Sequence, residues 1–211
     1  MNELPEAGGA PLRDDADPPA TPRPASTVIL LRRGGKHVDR DLQVLLVRRN
    51  PEARFMPGVW VFPGGAVDPE DGAGEPANRV CAARELQEEA GIEVDPGELV
   101  AYSRWITPRA VPVRFDTRFY LALAPPHSPP KPDGNETVDA AWRSPAEALE
   151  LHERGEIGLV FPTIKHLESL TPYANAAEAL ETARSREVRP VEPEIVGSGD
   201  DRRIVLPDEL P

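Results

Sequence analysis

Cysteine is nearly absent. Cys81 is the only one in 211 residues, which excludes an internal disulfide and any cysteine-built metal cluster and fits a reducing cytoplasm. Long apolar runs are missing too: the longest purely aliphatic stretch, Val28 to Leu31, is far short of the roughly 20 residues a membrane span needs. No membrane partner is expected. The N-terminal Met1-Asn2-Glu3 has neither the basic start nor the apolar stretch of a secretory signal, so export is not expected either. Positive charge is scarce, with 24 Lys and Arg against 36 Asp and Glu and a net charge of −12, which disfavours a protein that grips nucleic acid in bulk. Lysine occurs only at 36, 131 and 165, so 21 of the 24 basic residues are arginine. That bias is compositional and carries no functional meaning of its own.

The length suits one domain with tails. Residues 1–25 hold Pro5, Pro11, Pro18, Pro19, Pro22 and Pro24 among Gly, Ala and Asp, a composition without a face to bury, and this leader is expected to be disordered. Residues 26–211 then form a single domain. Thr27 to Leu31, Leu42 to Val47 and Val59 to Phe62 read as strands, the third stopped by Pro63-Gly64-Gly65. Val80, Ala83, Leu86 and Ala90 recur at helical spacing, with Gly91 placed as a C-terminal cap, so a helix is expected from about Pro76 to Ala90. Leu99 to Ile106, Phe115 to Leu123 and Val138 to Trp142 read as further strands. Ser144-Pro145-Ala146-Glu147 has the form of a capping box opening a helix to about Arg154, and two more helices are expected over Pro162 to Leu170 and Pro172 to Arg184. The tail suggests a hairpin of Ile195-Val196 with Ile204 to Leu206. Strands interrupted by a central helix and closed by others imply an α/β fold, an α/β/α sandwich with a mixed sheet.

The chemistry concentrates in Arg84-Glu85-Leu86-Gln87-Glu88-Glu89-Ala90-Gly91-Ile92. Glu85, Glu88 and Glu89 stand at i, i+3 and i+4, which puts three carboxylates on one helix face within a turn. Like charges there repel, and the helix dipole disfavours negative charge in the last turn. Arg84 offsets part of this by reaching Glu88. A divalent cation reverses the balance, because converging hard oxygens are what Mg²⁺ or Mn²⁺ requires. Otherwise the segment is a solvated acidic face.

Together with Phe62-Pro63-Gly64-Gly65, these residues resemble the signature of the Nudix hydrolase family, G-x5-E-x7-R-E-U-x-E-E-x-G-U with U a bulky aliphatic. The second half matches at every specified position. In the first half the sixth position after Gly65 is Asp71, while Glu75 stands nine before Arg84 instead of eight, so the loop is about five residues longer and either acid is open for the first acidic place. The resemblance implies a Nudix-type sandwich whose catalytic set is Arg84, Glu85, Glu88 and Glu89. Glu85, Glu88 and Glu89 would hold Mg²⁺ or Mn²⁺ with a carbonyl of Gly64 or Gly65, Arg84 would orient the carboxylates, and Glu85 or a loop acid would serve as base. Glu136 looks like the remote acid of several relatives.

Beyond the box the chain resembles the coenzyme A diphosphatase branches. Arg54, Gly58 and Phe62-Pro63-Gly64-Gly65 follow R-x3-G-x3-F-P-G-G, although Val47 and Arg49 stand where that branch often has threonines. Trp105 to Pro108, Arg114 to Thr117, Ser144 to Ala148 and Leu206 to Leu210 look like the peroxisomal acyl-CoA diphosphatase group, without a peroxisomal address at the C-terminus. This implies hydrolysis of coenzyme A or acyl-CoA to 3′,5′-ADP and (acyl-)4′-phosphopantetheine. Arg48, Arg49, Arg54 and Arg114 are the candidate readers of its phosphates, with Gly64 and Glu136 also lining the substrate. The small-molecule nucleoside-diphosphate substrate could instead be ADP-ribose, a dinucleotide or a nucleotide sugar, and a non-catalytic nucleotide-sensing domain is the alternative of another class. A homodimer is left open. Trp105 and Phe119 are expected in the core and His166 on the surface of its helix.

Overall fold

A computed structural model describes residues 18–34, 42–53, 56–197 and 201–209. The elements follow one another as β1 (Arg23–Arg33), β2 (Leu42–Arg49), β3 (Trp60–Val61), β4 (Gly64–Ala66), α1 (Gly74–Ala90), β5 (Val100–Ile106), β6 (Phe115–Leu123), β7 (Thr137–Arg143), α2 (Pro145–Glu153), α3 (Phe161–Leu170), α4 (Ala176–Arg184), β8 (Pro190–Val191), β9 (Glu194–Val196) and β10 (Arg203–Val205). The main sheet runs β3-β2-β1-β6-β5-β8, with β4 on β1 and β7 on β2, while β9 and β10 pair separately. It is mixed: β1 with β6 and β5 with β8 are parallel, and β1 with β2 and β5 with β6 are antiparallel.

Alternation in the strands builds two cores. Ile29, Leu31, Val44 and Leu46 pack with Leu167 and Leu170 of α3 and Ala179, Leu180 and Ala183 of α4. Val28, Leu30, Leu45 and Val47 point the other way and pack with Ala82, Leu86 and Ala90 of α1. The sandwich is therefore layered as expected, with α1 on one face and the C-terminal helices on the other. Each fully buried Leu or Ile side chain contributes roughly 1.5–3 kcal/mol. Helix ends follow the residues suited to them. Gly91 closes α1 with φ 65°, and Ser144 Oγ accepts from Glu147 N at 3.1 Å. Only half of that capping box forms, because the Glu147 carboxylate turns to Arg143. α4 starts at Ala176, later than the sequence suggests, where Asn175 caps it.

β1 begins at Arg23, inside the stretch read as leader. Pro24 and Ala25 pair with Asp116 and Thr117 of β6, and Ala25 is buried; most of the remaining leader lies outside the described residues. Arg114 explains part of this early start. Sequence reading puts it among the phosphate readers, but its buried guanidinium donates to Ala20 O at 2.8 Å, Thr107 O at 2.9 Å and Glu192 Oε1 at 2.6 Å. It ties the chain entry, the β5–β6 loop and the segment after β8 together, with all three guanidinium nitrogens engaged.

His166 is a second correction. It is not on the surface but 2% exposed, its ring 4.2 Å from Phe119 and edge-on to Phe62 at 6.2 Å. Phe119 is in the core as expected, and Trp105 packs against it. His166 Nδ1 lies 2.5 Å from Pro162 O and Nε2 lies 2.5 Å from Ser103 Oγ. A carbonyl only accepts, so Nδ1 carries the proton and Nε2 accepts from the Ser103 hydroxyl. Thr163, Leu167 and Leu170, at i−3, i+1 and i+4, are buried too, so helical spacing already places residue 166 on the inner face of α3.

Burial pushes the His166 pKa down to about 4, so the unfolded chain binds a proton between its ordinary value and 4 that the folded chain refuses. Stability from this residue is complete above about pH 6.5 and declines as pH falls to about 4, by about 3 kcal/mol in all. The difference between the wild type and His166→Gln in urea unfolding across that window is the measurement, and a pH-independent difference would refute it. Deleting residues 1–24 strips rungs from β1 and leaves Arg114 without one acceptor, so the melting temperature should fall by about 5 °C. Calorimetry on the truncated chain checks this.

Candidate active site

Among the described residues β1 and β2 pair through Leu31–Arg33 and Leu42–Val44. Beyond that rung they part. The first half of β1 pairs with β4, whereas β2 continues against β3 and β7. The chain crosses this split at Phe62-Pro63-Gly64-Gly65, where Val28 N donates to Pro63 O at 2.9 Å. Backbone crowding requires glycine at 64, and any side chain at 65 would displace the Glu85 carboxylate. A Cβ at Gly64 would lie 2.5 Å from Ser26 O, and one at Gly65 would lie 2.5 Å from Glu85 Cδ. The close approach lets Gly64 N donate to Glu89 Oε2 at 3.0 Å and seats the Glu85 carboxylate on the backbone of β4.

Arg84 organises the other side of this helix face. Its Nε and Nη2 bind the two oxygens of Asp71, both at 2.9 Å, in the fork geometry that suits guanidinium to carboxylate. Nη1 reaches Glu85 at 2.9 Å and Glu88 at 2.8 Å. Of the two acids that the lengthened loop leaves open, Asp71 is the one that meets Arg84. A short 3₁₀ turn, Pro69–Asp71, delivers it, and Arg84 holds its carboxyl below the usual range. Glu75 instead pairs with Arg79 at 2.8 Å.

The three helix glutamates are not equivalent. Glu89 is 3% exposed, and burial pushes its pKa up to about 8, with Gly64 N–H and Arg49 opposing and Glu85 and Glu136 reinforcing. Glu85 is also raised by burial, against the pull of Arg84, with Glu88 and Glu136 adding to it. Glu88 is turned outward, its side chain 57% exposed against Arg84. The expected ligand trio is therefore divided: Glu85 and Glu89 meet at the β4 loop, and Glu88 stands at the rim. Among the described residues no three His, Cys, Asp or Glu side chains converge into a ready metal cage. The donor chemistry still fits a hard divalent cation, since two crowded carboxylates share one backbone N–H and one guanidinium. Such an ion commonly takes one or two carboxylates and completes its shell with water and substrate phosphate.

The remaining site expectations separate by sheet face. Arg49 follows Leu45 and Val47 on the α1 side, and its charge acts on Glu89. Arg48 follows Val44 and Leu46 on the opposite side and donates to Gly58 O at 3.4 Å, away from the carboxylates. Gly64 serves Glu89. The Gly65 carbonyl faces Cys81 Sγ at 3.7 Å, and burial pushes that thiol up to about 12. Glu136 is exposed before β7, and its charge acts on both Glu85 and Glu89. Arg54 lies outside the described residues. Sequence reasoning missed Thr137, fully buried, whose Oγ1 donates to the Glu89 carbonyl at 2.7 Å. In sequence it stands just before the strand read from Val138.

Comparison with known proteins agrees with this geometry. A NUDIX domain profile matches residues 21–162. The human acyl-coenzyme A diphosphatase NUDT19 is 25% identical over 97% of this chain and 78% of its own length. A nudix hydrolase of Caenorhabditis elegans is 27% identical over 61% of this chain, which spans just 56% of that relative. Among solved structures, a NUDIX hydrolase from Alicyclobacillus acidocaldarius superimposes with TM-score 0.68 at 30% identity, covering 80% of this chain and 97% of its own. Nudix hydrolases generally use divalent metal ions, and no helix among the described residues is long and apolar enough to cross a membrane. From the profile match, the shared fold and the Gly64–Glu89 and Arg84–Asp71 pairings, the chain belongs to the Nudix hydrolase family.

Proposed function

We propose that the protein is an Mg²⁺- or Mn²⁺-dependent diphosphatase that cleaves coenzyme A or acyl-CoA to 3′,5′-ADP and (acyl-)4′-phosphopantetheine. One observation carries the choice of substrate: the likeness to an acyl-coenzyme A diphosphatase extends over 97% of the chain, past the family block and into the C-terminal helices and strands. ADP-ribose and other nucleoside diphosphates are the competing substrates for the same chemistry.

Glu85 and Glu89 present the anionic oxygens, and Gly64 N–H and Arg84 hold them in place. A divalent cation bound there neutralises phosphate charge and favours attack by water. Asp71 keeps Arg84 from swinging to solvent. Arg49, on the same side as Glu89, supplies positive charge for the diphosphate. In the reaction water adds to one phosphorus and the bridging P–O bond breaks. Glu136 stands at the exposed rim, where it can accept the proton that water releases.

Glu89→Gln and Glu85→Gln, assayed separately at saturating Mg²⁺, are expected to lose turnover by about three orders of magnitude with the fold intact by circular dichroism. Without metal, Glu89→Gln should melt higher than the wild type at pH 8, because a buried charge has been removed, and should lose the gain in melting temperature that Mn²⁺ gives the wild type. Near wild-type turnover in either variant would remove that residue from the reaction.

A second outcome tests the substrate. Dephospho-CoA lacks one phosphate, and loss of one charge-assisted contact lowers kcat/KM by roughly ten- to a hundredfold. The penalty should shrink in Arg54→Ala. Equal kcat/KM for the two substrates would defeat the phosphate reading, and faster cleavage of ADP-ribose would promote the competing class.

A further inference from the structure

We infer that Thr137 is a positioning residue that clamps the end of the catalytic helix to the loop carrying Glu136, and that a bulge in β7 exists to aim it there. The inference rests on Glu136 being an acid of the proposed site. Along β7, Ala140 and Trp142 face α1, so strict alternation would turn Val138 toward the helix and Thr137 away. The opposite is observed. Val138 is 38% exposed, while Thr137 is fully buried with its hydroxyl on the Glu89 carbonyl. The register explains it: Arg48 pairs with Asp139 but Arg49 pairs with Thr137, an irregularity that skips Val138. Bulges beside active sites re-aim side chains in this way. Here the bulge puts Arg49 and Thr137 together on the α1 side.

The clamp has two jaws. The Thr137 hydroxyl gives its one hydrogen to Glu89 O at 2.7 Å, the shorter of two contacts with acceptors, the other being Asp133 Oδ1 at 3.0 Å. Asp133 in turn accepts from Thr137 N at 2.8 Å and from Glu136 N at 3.1 Å. Asn50 N, directly after Arg49, donates to Glu136 O at 2.8 Å. One buried hydroxyl therefore connects the last helical turn, which carries Glu89, to the turn that presents Glu136 and to the end of β2. Lys131 N on Ala90 O, at 2.7 Å, is the second tie between helix and loop.

The test compares Thr137→Val, which keeps the shape and deletes the hydroxyl, with Thr137→Ser, which keeps the hydroxyl, and with Glu136→Gln singly and combined with Thr137→Val. With coenzyme A and saturating Mg²⁺, Thr137→Val is expected to lower kcat about tenfold with KM within about twofold, Thr137→Ser to stay near wild type, and the double variant to match Glu136→Gln alone. Amide exchange reads the clamp without turnover: residues 131–137 and 87–91 should exchange about tenfold faster in Thr137→Val, with the rest of the chain unchanged. Wild-type kcat in Thr137→Val with Glu136→Gln impaired, equal losses in the Val and Ser variants, additive losses in the double variant, or unchanged exchange would each overturn the clamp. Unchanged turnover in Glu136→Gln is a different result. It removes Glu136 from the reaction and the proposed coupling with it.

Discussion

Burying the Glu89 carboxylate under the β3–β4 crossing is the constraint around which the site is built. A carboxylate at 3% exposure is costly unless donors reach it, and the direct donor is Gly64 N at 3.0 Å. That bond needs the crossing chain against β1, which only glycine permits. It also needs β1 and β2 to part, so that β4 can take the place of β2 beside Ser26 and Thr27. The splayed sheet, the two glycines and the helix orientation are thus one geometric solution to a single desolvation problem.

Around this centre the charges are distributed unequally. Arg84 spends two nitrogens on Asp71 and shares a third between Glu85 and Glu88. Glu89 accepts instead from a backbone N–H, with the charge of Arg49 acting on it, and it is the one whose proton affinity rises most clearly. Lengthening the loop before α1 does not disturb this arrangement, because the Pro69–Asp71 turn shortens the path and presents Asp71 from a fixed backbone. A loop can grow by several residues when the interaction it delivers is held at its start.

The opposite face of the sheet bears on the same loop from behind. Phe62 precedes the crossing and packs in the cluster that contains Phe119, Tyr102 and His166. A histidine tolerates that burial because both ring nitrogens are satisfied, one by its own helix and one by Ser103. Arg114 performs a similar task for the chain ends, joining residue 20 to Glu192. Both residues carry polar groups suited to a ligand, and both are consumed by the fold.

Local order was legible where it depends on neighbours in sequence. The alternation in β1 and β2, the Gly91 stop of α1, the Ser144 cap and the pairing of Glu85 with Glu89 each follow from periodicities of 2 and 3.6 residues or from a single special residue, while the stripe expected along α1 holds at Ala83, Leu86 and Ala90 but not at Val80, which is exposed. The resemblance of that cluster to a known signature carried the family, the sandwich and the metal expectation. What the sequence could not convey are relations between residues far apart along the chain. Asp71 and Glu75 are both acids at plausible distances, and only the 3₁₀ turn decides that Asp71 meets Arg84. Arg48 and Arg49 are adjacent, and only the sheet sends them to opposite faces. Arg114 and Thr137 have no local mark of burial, since that depends on which strands and helices close over them, whereas His166 shares its helix face with the buried Thr163, Leu167 and Leu170. Thr137 shows the limit most clearly, because a bulge of one residue reverses the face of every side chain on one side of it. By itself the sequence determined which residues could ionise and bind a cation; packing decided which of them were held together, because desolvation and hydrogen-bond geometry act only between groups that the fold has brought into contact.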